Sequence, residues 1–161
     1  MTMTERSIIL GLAGVFLLGA VGTPQAGQTS DSRTVEEAVL AASAGMERAA
    51  EAADAERLFT FMVDTDKGSV IQNGVFLATR EDALRQVKSD LRGISKIEYR
   101  WRRRHVTVLS ADVALLTAEG ESTATTTEGQ VFTTPFAQTV VFVMRAGHWK
   151  ALHAHQSSQV R

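Results

Sequence analysis

The sequence predicts an α+β domain in which three helices pack on one face of a curved antiparallel sheet. Apolar residues recur at helical spacing from Thr34 to Leu91, and beyond Gly93 the pattern changes to that of long strands. The length, 161 residues, allows one domain with its own core.

Thr34 opens the first helix, where "TVEE" is a capping box in which Glu37 reaches back. Val35, Val39, Ala42, Met46, Ala49 and Ala53 then form one apolar stripe ending near Ala53. Asp54 caps a short second helix, "AERLFTFM", and "VDTDKGS" breaks it. "VIQNGVFLA" reads as two short extended pieces around an Asn-Gly turn. Thr79, with Asp82 three residues on, caps a third helix that turns Ala83, Leu84, Val87 and Leu91 inward and stops at Gly93. Four long strands follow, joined by the short turns "SAD", "EG" and "AGH".

The third long strand contains "VVFVM", Val140 to Met144, apolar on both faces. An antiparallel strand with one wet face alternates, so both faces here are expected to be covered, one by the helices and the other by a second copy, which predicts a homodimer. Pro135, earlier in the same strand, calls for a bulge or an unpaired stretch.

The N-terminus is read as separate from the fold. Arg6 precedes an apolar run from Ile8 to Val21 that is too short for a comfortable membrane span but has the length of a signal-peptide core. Residues 1–26 are therefore read as a signal peptide, cleaved after Ala26 or after Gly22, with residues 27–33 a flexible lead-in and 34–158 the domain. This predicts export, periplasmic or secreted, with no stable membrane insertion after cleavage. The chain has no cysteine, which excludes disulfides and thiol chemistry. A net charge of -1 gives no argument for a nucleic-acid partner.

The order of helices, the "NG" turn and the final "G-x-W-K-x-x-H-x-H-x-S", with Gly147, Trp149, His153, His155 and Ser157, resemble the nuclear transport factor 2-like superfamily. Within it, the chain is most similar to SnoaL-like domains and to the association domain of calcium/calmodulin-dependent kinases. The resemblance implies a cone-shaped pocket between the first helix and the sheet, and pairing through the outer sheet face. In the kinase domain arginines line that pocket. The matching positions here are Thr117, Val140 and Gln156, so anion binding by the same device is not expected. The superfamily holds isomerases, cyclases, dehydratases and hydrolases beside non-catalytic binding and scaffold domains, so the fold does not fix the activity.

The expected ligand is a small, largely apolar molecule, with Tyr99, Trp101, Thr117, Phe136, Gln138, Val140, Phe142, Leu152 and Gln156 as the lining. An acid after the second helix faces the pocket in the superfamily's isomerases and dehydratases. Asp64 and Asp66 occupy that region, and the alternative to a plain binding domain is an acid–base isomerase, dehydratase or hydrolase with Asp64 or Asp66 as general base, although "DTDKG" also reads as a solvated turn. Strand alternation puts Trp149, His153 and His155 on one face, expected to be the interface of an assembly. A metal would need His105 as a third ligand, and the interface reading is preferred. "YRWRRRH" puts Arg100, Arg102 and Arg104 on one face, and Tyr99, Trp101, Arg103 and His105 on the other. A charged edge strand accounts for it better than nucleic-acid binding does. No cofactor fingerprint or catalytic triad order is present.

Overall fold

The computed structural model describes residues 26–158, so the signal-peptide reading lies outside the described residues. Three helices, α1 (Ala26–Glu51), α2 (Ala55–Thr60) and α3 (Arg80–Asp90), pack against six strands. The strands are β1 (Val70–Gln72), β2 (Val75–Leu77), β3 (Ile94–Val108), β4 (Val113–Thr126), β5 (Val131–Arg145) and β6 (His148–Ser158). Their order in the sheet is β2-β1-β6-β5-β4-β3. The sheet is mixed rather than wholly antiparallel, because β1 runs parallel to β6. The chain reaches β1 only after crossing the core through α2, so it returns to the sheet in the direction of β6.

Helix α1 begins at Ala26, so the segment read as a lead-in forms its first turns and Thr34 is an interior residue. The capping box "TVEE" is only a potential start, and the residues before it continue the helix. The helix ends in a left-handed residue, Ala53, with φ 53°. Ala53 N–H donates to Ala50 O and Asp54 N–H to Ala49 O, the paired bonds of a Schellman motif. Asp54 then caps α2, its carboxylate accepting from Arg57 N–H at 2.9 Å. The Thr79–Asp82 capping box of α3 forms as the sequence predicts. Arg80 donates from Nε and Nη2 to Phe59 O at 3.0 and 2.8 Å, which ties the start of α3 to α2.

Asn73 and Gly74 both have positive φ, the two-residue turn that joins β1 to β2. Ala146 and Gly147 make the same turn between β5 and β6. Pro135 holds its register opposite Glu121 without a bulge. Strand β6 starts pairing with β5 at Ser158 opposite Phe136, so Pro135 lies just beyond that ladder, where its missing N–H removes no bond.

The core sits at the narrow end of the cone. Val39 of α1, Phe59 of α2, Leu116 of β4 and Phe142 of β5 are fully buried, and Trp149 and Ala151 of β6 join them. Burying each large apolar side chain stabilises the fold by roughly 1.5–3 kcal/mol. On the opposite sheet face, Val143 is 4% exposed and Val141 half-buried within the single chain. The chain's own neighbours thus cover part of the outer face for which "VVFVM" predicts a partner.

Besides a register shift between Ile94 and Lys96 at the start of β3, two bulges fix which side chains share a face further along β3 and β6. On β3 the register shifts between Trp101, opposite Gly120, and Arg103, opposite Glu119. On β6 it shifts between Ala151, opposite Phe142, and His153, opposite Val141. Each inserts one residue, Arg102 or Leu152, and reverses the alternation beyond it. Trp149 therefore points into the core, whereas His153 and His155 lie on the outer face, and the expected shared face does not form. Arg103 and His105 likewise leave the face of Tyr99 and Trp101, and Arg104 joins it.

Candidate functional site

Above the core the sheet and helices diverge around a cavity of about 800 Å³. Helix α1 supplies Ser43, Met46, Glu47 and Ala50 to its wall, and α3 supplies Val87 and Asp90, with Leu91 at its C-cap. The concave sheet face contributes Tyr99 and Trp101 from β3, Phe132, Gln138, Val140 and Phe142 from β5, and Ala154 and Gln156 from β6. Small residues on β4 make room: Gly120, Ser122 and Ala124 face the cavity side in register with Trp101, Tyr99 and Ile97. The lining is mainly aromatic and aliphatic with a few polar groups, the usual character of a small-molecule site.

Three rings build one wall. Tyr99 and Trp101 are stacked at 6.0 Å with 14° between their planes. Phe136 meets both edge-on, at 5.9 Å from Tyr99 and 5.3 Å from Trp101. The Arg104 guanidinium lies over the Trp101 ring, 5.1 Å from its centroid, and reaches Glu47 Oε2 with Nη1 at 3.4 Å. The indole Nε1–H of Trp101 is buried with no hydrogen-bond partner among the described residues. One turn after Glu47, Glu51 accepts from the Tyr99 backbone N–H at 3.3 Å. Burial, then the negative charges of Glu51 and Glu47, push the Tyr99 hydroxyl above the ordinary tyrosine range, so it stays protonated.

Of the residues read from the sequence as lining, Tyr99, Trp101, Gln138, Val140, Phe142 and Gln156 line this cavity. Phe136 supports the ring wall from within the core. Thr117 lies on the outer face, opposite His105 and Thr139, and Leu152 is the inserted residue of the β6 bulge. Asp64 and Asp66 are exposed on the loop after α2 and do not line the cavity, so neither can meet a ligand held there. The missed residues are Ser43 and Glu47. Ser43, Met46, Glu47 and Ala50 continue the stripe of Val39 at helical spacing, so a carboxylate within an apolar stripe was the available signal.

The outer face carries a shallower depression of about 380 Å³ lined by Arg103, His105, Thr117, Glu119, Thr139, His155 and Ser157. His105, Thr117, Thr139 and His155 form one row across four strands. Its two imidazoles are thus three strand spacings apart, about 14 Å, too far to share an ion. His153 acts elsewhere: its Nδ1–H donates to Gly68 O at 2.8 Å and holds the loop before β1 against β6. Arg102 and Arg103 pair with Glu121 and Glu119 across β3 and β4, so the basic run on this edge strand is largely neutralised by the chain itself.

A SnoaL-like domain model matches residues 39–161. The chain belongs to the SnoaL-like family. Its fold is that of the nuclear transport factor 2-like superfamily, as solved structures show. A dehydratase candidate of that family from Streptomyces avermitilis is 22% identical, with a TM-score of 0.70, over 80% of this chain and 99% of the other. A candidate scytalone dehydratase from Novosphingobium aromaticivorans is 10% identical, with a TM-score of 0.74, over 82% of this chain and 89% of the other. A hexachlorocyclohexane dehydrochlorinase (LinA) of type 2 is 15% identical, with a TM-score of 0.68, over 82% and 90%. No curated protein sequence matches the chain.

Proposed function

We propose that this SnoaL-like domain binds a small, largely apolar molecule in the cavity between α1 and the concave sheet. The observation that carries the reading is the ring wall of Tyr99, Trp101 and Phe136 facing a helix that presents Ser43 and Glu47. Apolar walls supply the affinity, and a few convergent polar groups fix the orientation. Neighbours described as dehydratases and a dehydrochlorinase support the same site class, since each name implies a small organic substrate. Export is part of the proposal, on the strength of Arg6 and the apolar run from Ile8 to Val21. Native mass spectrometry of the protein purified from its own host tests the reading. A discrete extra mass, lost when Gln156→Trp fills the cavity, supports it; a bare chain that also fails to take up any small aromatic probe overturns it.

A second copy of the chain is proposed to cover the outer sheet face. Phe76 is 63% exposed, and its register partner Ile71 sits opposite His155, which places all three on that face. His155→Ala and Phe76→Ser are expected to weaken a dimer seen by analytical ultracentrifugation. A wild-type chain that sediments as a monomer at high concentration contradicts the pairing.

A further inference from the structure

The cavity wall carries one half-buried carboxylate. Glu47 has 19% of its side chain exposed, and its contact to Arg104 is a single long one through Oε2, at 3.4 Å. Its Oε1 accepts no hydrogen bond among the described residues. The same Arg104 guanidinium lies over the Trp101 ring, 5.1 Å from its centroid. Asp90, the other carboxylate of the lining, is exposed at the end of α3 and accepts from the Gln86 amide at 2.8 Å. The Tyr99 hydroxyl has no partner among the described residues and stays protonated, because burial and then the two glutamates oppose its ionisation. A carboxylate oxygen beside an apolar cavity meets few water molecules that compete with a ligand for it, and a neutral phenol close by can donate to an oxygen on which charge develops.

We infer that Glu47 is the proton acceptor of this cavity and Tyr99 its neutral donor, acting on ring-bearing molecules with an acidic C–H and an oxygen leaving group. The inference rests on the small-molecule reading and moves the acid–base role from the loop after α2 to α1. Glu47 Oε1 takes the proton from carbon. The C–H electron pair becomes the new π bond, and the bond to the leaving oxygen breaks. Tyr99 donates a hydrogen bond to that oxygen as its negative charge grows. The proton on Glu47 then passes to the released oxygen, which restores the carboxylate with no oxidant or further reactant.

Nitrobenzisoxazole tests this, because a base at its ring C–H opens the N–O bond and releases a coloured cyanonitrophenolate in one step. Binding is followed separately with nitrobenzotriazole, a similar bicyclic that cannot open, by quenching of tryptophan fluorescence. Glu47→Gln is expected to bind the triazole as the native chain does and to lose the ring-opening rate by about 10²-fold or more. Glu47→Asp should keep a measurable part of the rate, and Asp64→Asn and Asp66→Asn should leave it unchanged. A rate that survives Glu47→Gln with binding intact overturns the assignment and leaves the binding reading standing. A native chain that binds the triazole but does not open the benzisoxazole overturns the assignment alone, and failure to bind the triazole overturns both.

Discussion

Gly120 lies so close to Arg100 that a Cβ at Gly120 would stand 2.6 Å from the Arg100 carbonyl oxygen and 3.2 Å from the Trp101 Cα. The close approach belongs to the bulge at Arg102, which draws the β3 backbone in toward β4. Both contacts are to backbone, so a methyl group there must push the strands apart. Gly120→Ala is expected to lower stability by about 1–3 kcal/mol, read as a fall in the urea midpoint at constant slope. It should also shift the emission of Trp101, whose ring the same backbone holds in the cavity wall. An unchanged midpoint would show that β3 yields there without strain.

Much of the architecture is legible in the chain because its signals are local. Asp54, the Thr79–Asp82 pair and Asn73-Gly74 each bond or turn within a few residues, and all act as their types suggest. The faces of β3 beyond Trp101 and of β6 beyond Ala151 are not legible, because each depends on an inserted residue. Neither Arg102 nor Leu152 is a turn former, and alternation counted straight through them puts every later side chain on the wrong face. The nearest mark of the β3 bulge is on its partner, at Gly120. Asp64 and Asp66 show the other limit: proximity in sequence to the helix break says nothing about which way the loop turns them.

Ala53 and Ala146 hold left-handed backbone that a β-carbon disfavours. At Ala53 the Schellman motif requires it, and glycine would adopt it without steric cost. At Ala146 the hairpin turn requires it, and asparagine, as Asn73 shows in the equivalent turn, suits the position better. Ala53→Gly and Ala146→Asn are each expected to raise stability by about 0.5–1 kcal/mol, with roughly additive gains in thermal midpoint. A loss at either position would mean that the methyl group contributes packing that outweighs the backbone relief.

The α3 cap makes stability depend on acid. The hydroxyl of Thr79 is the main reason the Asp82 carboxyl lies below the ordinary aspartate range; desolvation opposes it as the next largest effect, and the Thr79 backbone N–H and then the Arg85 charge add to the lowering. A folded value below the unfolded one means that the unfolded chain binds more protons in the interval, so stability rises with pH there. The contribution is complete above the unfolded aspartate value, about 3.9, and is lost as pH falls through the folded value. Asp82→Ala should therefore destabilise the chain near neutral pH, and the gap from the native chain should close as the pH falls below the ordinary aspartate range and through the folded value. A gap that stays constant with pH would assign the effect to helix propensity instead.

Tyr99 is the single tyrosine of the chain, so an alkaline absorbance titration reports it alone. Burial is the first cause that raises its ionisation above the ordinary value, followed by the charges of Glu51 and then Glu47. The midpoint is expected above about 10. Removing a negative charge makes the phenolate easier to form, so Glu51→Gln and Glu47→Gln should each lower the midpoint, Glu51→Gln by more. Because the folded value is raised, the stabilisation linked to the protonated hydroxyl is complete below the unfolded tyrosine value and is lost as pH rises through the folded one. The native chain should therefore lose stability over that interval, and Tyr99→Phe should not show this loss. A native midpoint at the ordinary tyrosine value would mean that water reaches the hydroxyl freely, and would remove the donor that the cavity chemistry requires.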